Sequence, residues 1–237
     1  MNYILDKIDI PETCSHVKID VGLSYGAPHS HVWLSREPHL MVFGFEPNPD
    51  ATKAILSTDN KKRHPEHDET LSQKFITDGR FQMYNVALSN VDKEEQMKFY
   101  VNKNDCGTSS LFLHDEKYLG PIEKTIDVSV VNLKMFFDKF PWNEIEYIDY
   151  VKIDAQGSDL DILRGAGDYL QQRVVYVTAE PDDQKCYESN DCNTKNIQEY
   201  MESQGFIMVK HQLTKDPTFL NKKFQHLKDK IFIYQAS

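Results

Sequence analysis

Several things are scarce in this chain, and each scarcity excludes something. Its longest apolar runs are only strand-sized, so no segment reads as a membrane-spanning helix. The first residues, MNYILDKIDIPET, alternate apolar and acidic side chains; they have no basic start and no apolar stretch of signal-peptide length, so no leader is expected. Positive charge is in deficit: 27 Lys and Arg stand against 37 Asp and Glu, a formal net charge of −10. A nonspecific grip on nucleic acid or on an anionic membrane needs the opposite sign, so neither is an expected partner; a small or neutral substrate is. Cysteine is sparse, with Cys14, Cys106, Cys186 and Cys192 scattered and none in a CxxC pair. That usage predicts reduced thiols and a cytoplasmic location. Cys186, Cys192 and nearby His211 have poor spacing for a metal site. Finally, no GxGxxG follows a strand-like run, which argues against nicotinamide binding.

What is present suits an α/β domain. The chain has 237 residues, 40% of them hydrophobic and 27% charged, enough to bury a core and stay soluble. Short β-branched and aromatic runs recur: 17–21, LMVFGF (40–45), FQMYNVAL (81–88), 144–154, RVVYVTAE (173–180), FIMVKHQ (206–212) and DKIFIYQ (229–235). Between several of them lie helix signals. Pro49 and Asp50 open one through ATKAILS. Ser158 and Asp159 start another over 157–166, with Leu160, Leu163 and Ala166 on one face. Gly205 closes a third over 194–205. Alternating strands and helices predict a doubly wound, mostly parallel sheet with helices on both faces. The whole of 1–237 reads as one domain, with an N-terminal extension over 1–16 and a hairpin-type insertion over about 89–131. The loop CGTSSLF (106–112) in that insertion is placed to cover a cleft. Residues 58–74 are polar, without apolar period, and read as a surface excursion with a short helix.

The tetrapeptide VKID occurs twice, at 17–20 and 151–154. The flanks do not align, so this is no duplication. Each copy ends an apolar run, and glycine follows two or three residues later. In open parallel sheets ligands bind beyond the carboxyl ends of strands where the strand order reverses. If these two strands are neighbours at that reversal, Asp20 and Asp154 enter one crevice. Residues two apart share a strand face, so Lys18 and Lys152 are expected beside them.

The first copy continues as Asp20-Val-Gly22-Leu-Ser24-Tyr-Gly26, or DxGxxxG, and the next strand ends in Glu46 within GFEP. An acid before a glycine loop fits a ligand with a positive centre and an amino-acid tail. A strand-end carboxylate about twenty residues later can accept two hydrogen bonds from a ribose diol. Together they point to S-adenosylmethionine.

Several motifs in order (KIDVGLSYG, GFEPNP, NVALSN, the SSL of GTSSLF, VKIDAQGSDLDILRGAG and VYVTAEPD) show that the chain resembles the FkbM family of S-adenosylmethionine-dependent methyltransferases, from about residue 17 to about 182. The resemblance implies a class I (Rossmann-like) methyltransferase fold. It also implies O-methylation of a hydroxyl, often on a sugar or glycan, with S-adenosylhomocysteine as the product. It places Asp20, Gly22 and Gly26 around the methionine part of the cofactor and Glu46 at the ribose; Ser24, where the family often has Asn, and Asn48 are further cofactor-binding candidates. Asn85 to Leu88, including Ala87, fall by the adenine, and Ser109 is a candidate donor to the cofactor carboxylate or to a substrate. Asp154 sits beside the reacting centre. Gln156 stands where the family commonly has an acid, which weakens any metal role there, though Mg²⁺ held by Asp154, Glu180 and a water is conceivable on oxygen-ligand chemistry.

Methyl transfer from a sulfonium asks the protein mainly for alignment, and a hydroxyl acceptor also needs a base. Asp154 reads as that base or as the anchor of the cofactor's amino group. Glu180 is the second candidate. Lys152 orients its neighbours or, if desolvated, accepts a proton. His29, His31 and His114 lie near the loops. Tyr118, Trp142 and Tyr147 are candidate sugar-stacking rings or core residues. An N-methyltransferase and a non-catalytic cofactor-binding module remain alternatives.

Overall fold

The computed structural model describes residues 8–57, 70–188 and 191–235. Strand β1 (His16–Val21) is buried from its second residue onward, as a strand covered on both faces should be. It pairs in parallel with β2 (Leu40–Phe45) on one side and with β7 (Ile148–Ile153) on the other. Beyond β2 lies β3 (Phe81–Tyr84), and beyond β7 lies β8 (Val174–Ala179), both parallel to their neighbours. The far edge is antiparallel: β10 (Thr218–Asn221) runs between β8 and β9 (Phe206–Val209). The order is β3-β2-β1-β7-β8-β10-β9, a doubly wound sheet whose strand order reverses between β1 and β7. The two VKID strands are therefore neighbours at the switch point.

Two cores follow from the period of two along each strand. Val17, Ile19 and Val21 face one cluster, which includes Phe136 of α5 (Leu133–Phe137), Leu160 of α6 (Asp159–Arg164), Leu170 of α7 (Asp168–Arg173) and Ile197 of α8 (Thr194–Ser203). Leu40, Val42 and Tyr150 face the other. It includes Trp33 of α1 (Pro28–Arg36), Ile55 of α2 (Pro49–Leu56) and Phe75 of α3 (Gln73–Thr77). Each fully buried Phe, Leu or Val contributes roughly 1.5–3 kcal/mol relative to exposure.

The insertion folds as expected into a hairpin. β5 (Glu95–Asn102) and β6 (Ile122–Val131) pair antiparallel, and β4 (Ala87–Leu88) joins β6 to complete a small three-stranded sheet. The connection between β5 and β6 carries a 3-10 turn at Cys106–Thr108 and the single-turn helix α4 (Glu116–Leu119).

Three expectations are corrected. Residues 81–88 are not one strand but two, β3 and β4, in different sheets; the break falls at Asn85, whose side chain donates to the carbonyls of Glu46 and Pro47 and fastens the turn. Strand β9 ends at Val209 instead of running to 212. Residues 229–235 form no strand: their carbonyls accept side-chain donors, Phe232 from Lys18 and Tyr234 from Trp33 Nε1 at 2.9 Å, so the segment straps α1 to the sheet. The last strand is the four-residue TFLN, too short to stand out in the sequence. The 58–74 excursion lies outside the described residues as far as 69, and α3 begins at its end.

Gly22 sits where β1 turns towards the loop, at φ +81°, and a Cβ there would lie 1.9 Å from the carbonyl oxygen of Asp154. Both a left-handed backbone and a backbone clash oppose any side chain. Gly22→Ala is expected to lose about 3 kcal/mol or more, or to fail to fold, because β1 and β7 must separate. Urea unfolding of the variant against wild type checks this.

Candidate active site

A cavity of about 360 Å³ opens at the carboxyl ends of β1, β2 and β7. Val21, Gly22, Leu23 and Ser24 line it from β1 and its loop. Phe45, Glu46 and Pro47 line it from β2, and Asp154, Ala155 and Gln156 follow β7. Val86, Ala87, Leu88 and Phe99 provide an apolar wall, and Gly107 to Ser109 of the insertion close over it.

The floor is organised by one ammonium. Lys152 is 1% exposed, and its Nζ lies 3.3 Å from Asp154 Oδ2, 3.7 Å from Asp20 Oδ1 and 3.3 Å from the Gly22 carbonyl, to which it donates. Burial pushes this ammonium towards losing its proton, but the charges of Asp154 and Asp20 outweigh burial and hold its pKa above the ordinary lysine value. Lys152 is thus a fixed cation, and a role as proton acceptor is not supported. Asp20 is fully buried beneath the cavity. Its Oδ2 accepts from Ser30 Oγ at 2.6 Å, and burial keeps its pKa raised against the opposing pull of Lys152.

Lys18 does not join this group. Although it shares a face with Asp20, it lies two residues back along the strand; its ammonium pairs with Glu37 and donates to the Phe232 carbonyl, away from the cavity.

Asp154 and Glu180 form a coupled pair. Burial acts to raise Asp154, but Lys152, the Glu180 hydroxyl and the Gln156 amide outweigh it and hold its carboxyl far below the usual range. Burial, then the negative charge of Asp154, pushes Glu180 up to about 9. The two carboxyls are thus driven apart, Asp154 towards its ionised form and Glu180 towards its protonated form. Gln156 ties the two together: its Nε2 donates to Asp154 Oδ1 at 2.5 Å and to Glu180 Oε2 at 2.8 Å. Its Oε1 accepts from Tyr187 Oη at 2.6 Å and its carbonyl from Ser110 Oγ at 2.7 Å. This non-glycine residue sits at φ +52°, a conformation that such a dense set of contacts sustains.

Glu46 is 5% exposed, with Oε2 accepting from the Ser24 N–H and Oε1 from the Asn48 N–H, each at 2.9 Å. Each oxygen keeps a second lone pair for a ligand. Burial pushes its carboxyl up to about 7 despite those bonds. Asn48 caps α2 by accepting from Asp50 N–H and does not line the cavity. Asn85 holds the β2 turn and also stays out of the cavity wall, as does Gly26, whose carbonyl accepts from Leu71 N–H. Ser109 lines the cavity while its Oγ accepts from Asn102 N–H.

Among the residues with other readings, His29 lines the cavity near the start of α1, whereas His31 packs against Phe75 and His114 against Tyr187. Trp142 stacks on Tyr169 and Tyr147 packs on Phe224, so neither ring faces the cavity; Tyr118 is 68% exposed. Among the described residues, Cys186, Cys192 and His211 do not converge as ligands.

Asp159 is the main residue whose role sequence reasoning missed. It is completely buried, and its two oxygens accept the Ala155 N–H at 3.1 Å and the Glu180 N–H at 2.9 Å, clamping the ends of β7 and β8 together. Burial, with Asp154 nearby, pushes it up to about 7. Tyr187 was equally hidden, since it sits in an irregular stretch with no pattern.

These raised carboxyls set a sign. A carboxyl with a folded pKa above its unfolded value binds more protons in the folded state, so stability falls as pH rises through the interval. Glu46 and Asp159 each contribute of order 3 kcal/mol across about pH 4 to 7. Urea unfolding is expected to give lower stability at pH 8 than at pH 5. Glu46→Gln should shrink that difference by the Glu46 share and leave the part due to Asp159.

A family model described as the methyltransferase FkbM domain matches residues 17–208, which include both VKID strands, Glu46 and the Asp154–Glu180 pair. A search of curated proteins returns no match. With most of its length matched and the fold to go with it, the chain belongs to the FkbM methyltransferase family.

Proposed function

We propose that this methyltransferase binds S-adenosylmethionine in the 360 Å³ cavity and methylates a hydroxyl, that of a sugar or glycan. The observation that carries the reading is Glu46, a buried carboxylate on the cavity wall with spare lone pairs, set beside an apolar wall and above the Asp20–Lys152–Asp154 floor. The volume falls in the ordinary range for a small-molecule site. The residues fit the group: Glu46 for the ribose diol, Val86 to Leu88 and Phe99 for the adenine ring, and Gly22 with the following loop for close backbone approach. The acidic floor favours a cation. When bound, the cofactor supplies a methyl group already activated on a positive sulfur.

The chain's own residues then align the acceptor and take up a proton. The Asp154–Glu180 pair stands at the cavity, with Asp154 held towards its ionised form and Glu180 towards its protonated form. Asp154, pinned by Lys152 and Gln156, is a weak base in that state. The pair becomes a strong base once Glu180 ionises, so transfer to a hydroxyl should quicken as pH rises towards about 9. Between these carboxylates lies the Gln156 amide, on the ground a shared Mg²⁺ would need; an unchanged rate with chelator is the expected result. Tyr118, exposed on α4 in the same β5–β6 connection as the lining residues Gly107 to Ser109, is available to a sugar ring.

Calorimetry with S-adenosylmethionine and S-adenosylhomocysteine tests the reading first. Wild type should bind both, and Glu46→Ala should weaken binding by about 10²-fold, the loss of two hydrogen bonds to a charged acceptor. Affinity should also fall as pH drops below about 7, where Glu46 takes up its proton. No binding of either compound by wild type would sink the proposal. Once an acceptor turns over, Asp154→Asn should lower kcat by about 10²–10⁴-fold while leaving S-adenosylhomocysteine binding within a few-fold; an N-methylation reaction would show a much smaller loss.

A further inference from the structure

The sheet carries a second cluster of ligating side chains, at the end opposite the cavity. His16 opens β1, Asp149 is the second residue of β7, and Glu37 follows the last turn of α1. One ring nitrogen and one oxygen from each carboxylate all lie within 4.8 Å of one another. His16 Nε2 is 3.4 Å from Glu37 Oε2, and the other ring nitrogen meets Ser15 Oγ at 3.3 Å. The second oxygen of Glu37 takes the buried ammonium of Lys18, which is anchored in turn by the Phe232 carbonyl.

Asp149 is what makes this more than a surface ion pair. Its side chain is only 6% exposed, yet among the described residues it makes no hydrogen bond or ion pair and faces His16 and Glu37. Burial, with Glu37 reinforcing and His16 and Lys18 opposing, pushes its carboxyl up to about 6. A carboxylate with no donor from the protein is met by water or by a cation, and here it points at two further ligating side chains. Two carboxyl groups here face a single ammonium, that of Lys18, so the cluster is short of positive charge. His16 Nε2 faces Glu37 and leaves Asp149 without a hydrogen bond.

We propose that His16, Glu37 and Asp149 form a binding site for a divalent transition-metal ion of the zinc class. One imidazole and two carboxylates, with a fourth position open to water, is an ordinary zinc donor set. Zinc–ligand distances of about 2.0–2.2 Å require the three donors to draw in slightly from their present spacing, a side-chain adjustment. Ser15 Oγ at the far ring nitrogen and Lys18 on the far Glu37 oxygen supply the outer contacts that usually orient metal ligands. His16 keeps 26% of its side chain exposed, which gives the ion an approach. The ion would tie β1, the end of α1 and β7 together, and through Lys18 also the strap near Phe232. It is a stabilising site remote from methyl transfer and independent of the cofactor reading.

The test uses the full chain, stripped with chelator and then titrated with ZnCl₂ by calorimetry and with CoCl₂ by visible absorption. Expected are one ion per chain, a raised melting temperature, and binding at least about 10-fold weaker in His16→Ala and Asp149→Asn. Binding that persists unchanged in both folded variants would place the metal elsewhere and overturn the proposal. No binding by wild type would overturn it too. A second readout needs no variant: Zn²⁺ should protect His16 from carbethoxylation, read by peptide mass spectrometry, and equal labelling with and without the ion counts against the site.

Discussion

The Lys152 ammonium, held between the carboxylates of two neighbouring strand ends, is the interaction on which the rest of the structure turns. A lone buried ammonium or carboxylate is costly to desolvate, and removing one partner from such a group leaves an uncompensated charge. Asp20, Lys152 and Asp154 therefore stand or fall together. Gly22 completes the arrangement from the backbone side: its carbonyl accepts from Lys152, and its missing side chain lets Asp154 come close. This explains why one tetrapeptide serves twice. Each copy delivers an aspartate to the end of its strand, but only the second delivers its lysine to the cleft.

That asymmetry marks how far the sequence could be read. The period of two along a strand assigns a face but not a depth. Lys18 and Asp20 share a face while lying about 7 Å apart along the strand, and the partner within reach of Lys18 is Glu37. The order of parallel strands, the switch point and the hairpin insertion were legible because long apolar runs and glycine punctuation carry them. The split of 81–88 was not, because the side-chain bonds of Asn85 that break the strand reach carbonyls 38 and 39 residues away. Nor was the strap at 229–235, whose alternating pattern resembles a strand while its carbonyls serve Lys18 and Trp33.

The candidate site shows the same division. Residues that follow a strand in a recognisable motif (Gly22, Glu46, Asp154 and Glu180) are found on the cavity wall. Asn48 and Asn85 belong to the same motifs but brace the backbone behind that wall. The roles of Gln156 and Asp159 depend on contacts across the β7–β8 junction that no local pattern encodes. In Gln156 a neutral amide spans two acids, so its distinguishing property is the charge it lacks.

Tyr187 gives this amide a mechanical neighbour. Its hydroxyl donates to Gln156 Oε1 and also lies 3.0 Å from the Thr108 carbonyl, in the loop that closes over the cavity. A displacement of that loop which strains or breaks these bonds changes the hold of Gln156 on Asp154 and Glu180. The loop over the cavity and the two acids on its wall are thereby joined through one phenol and one amide.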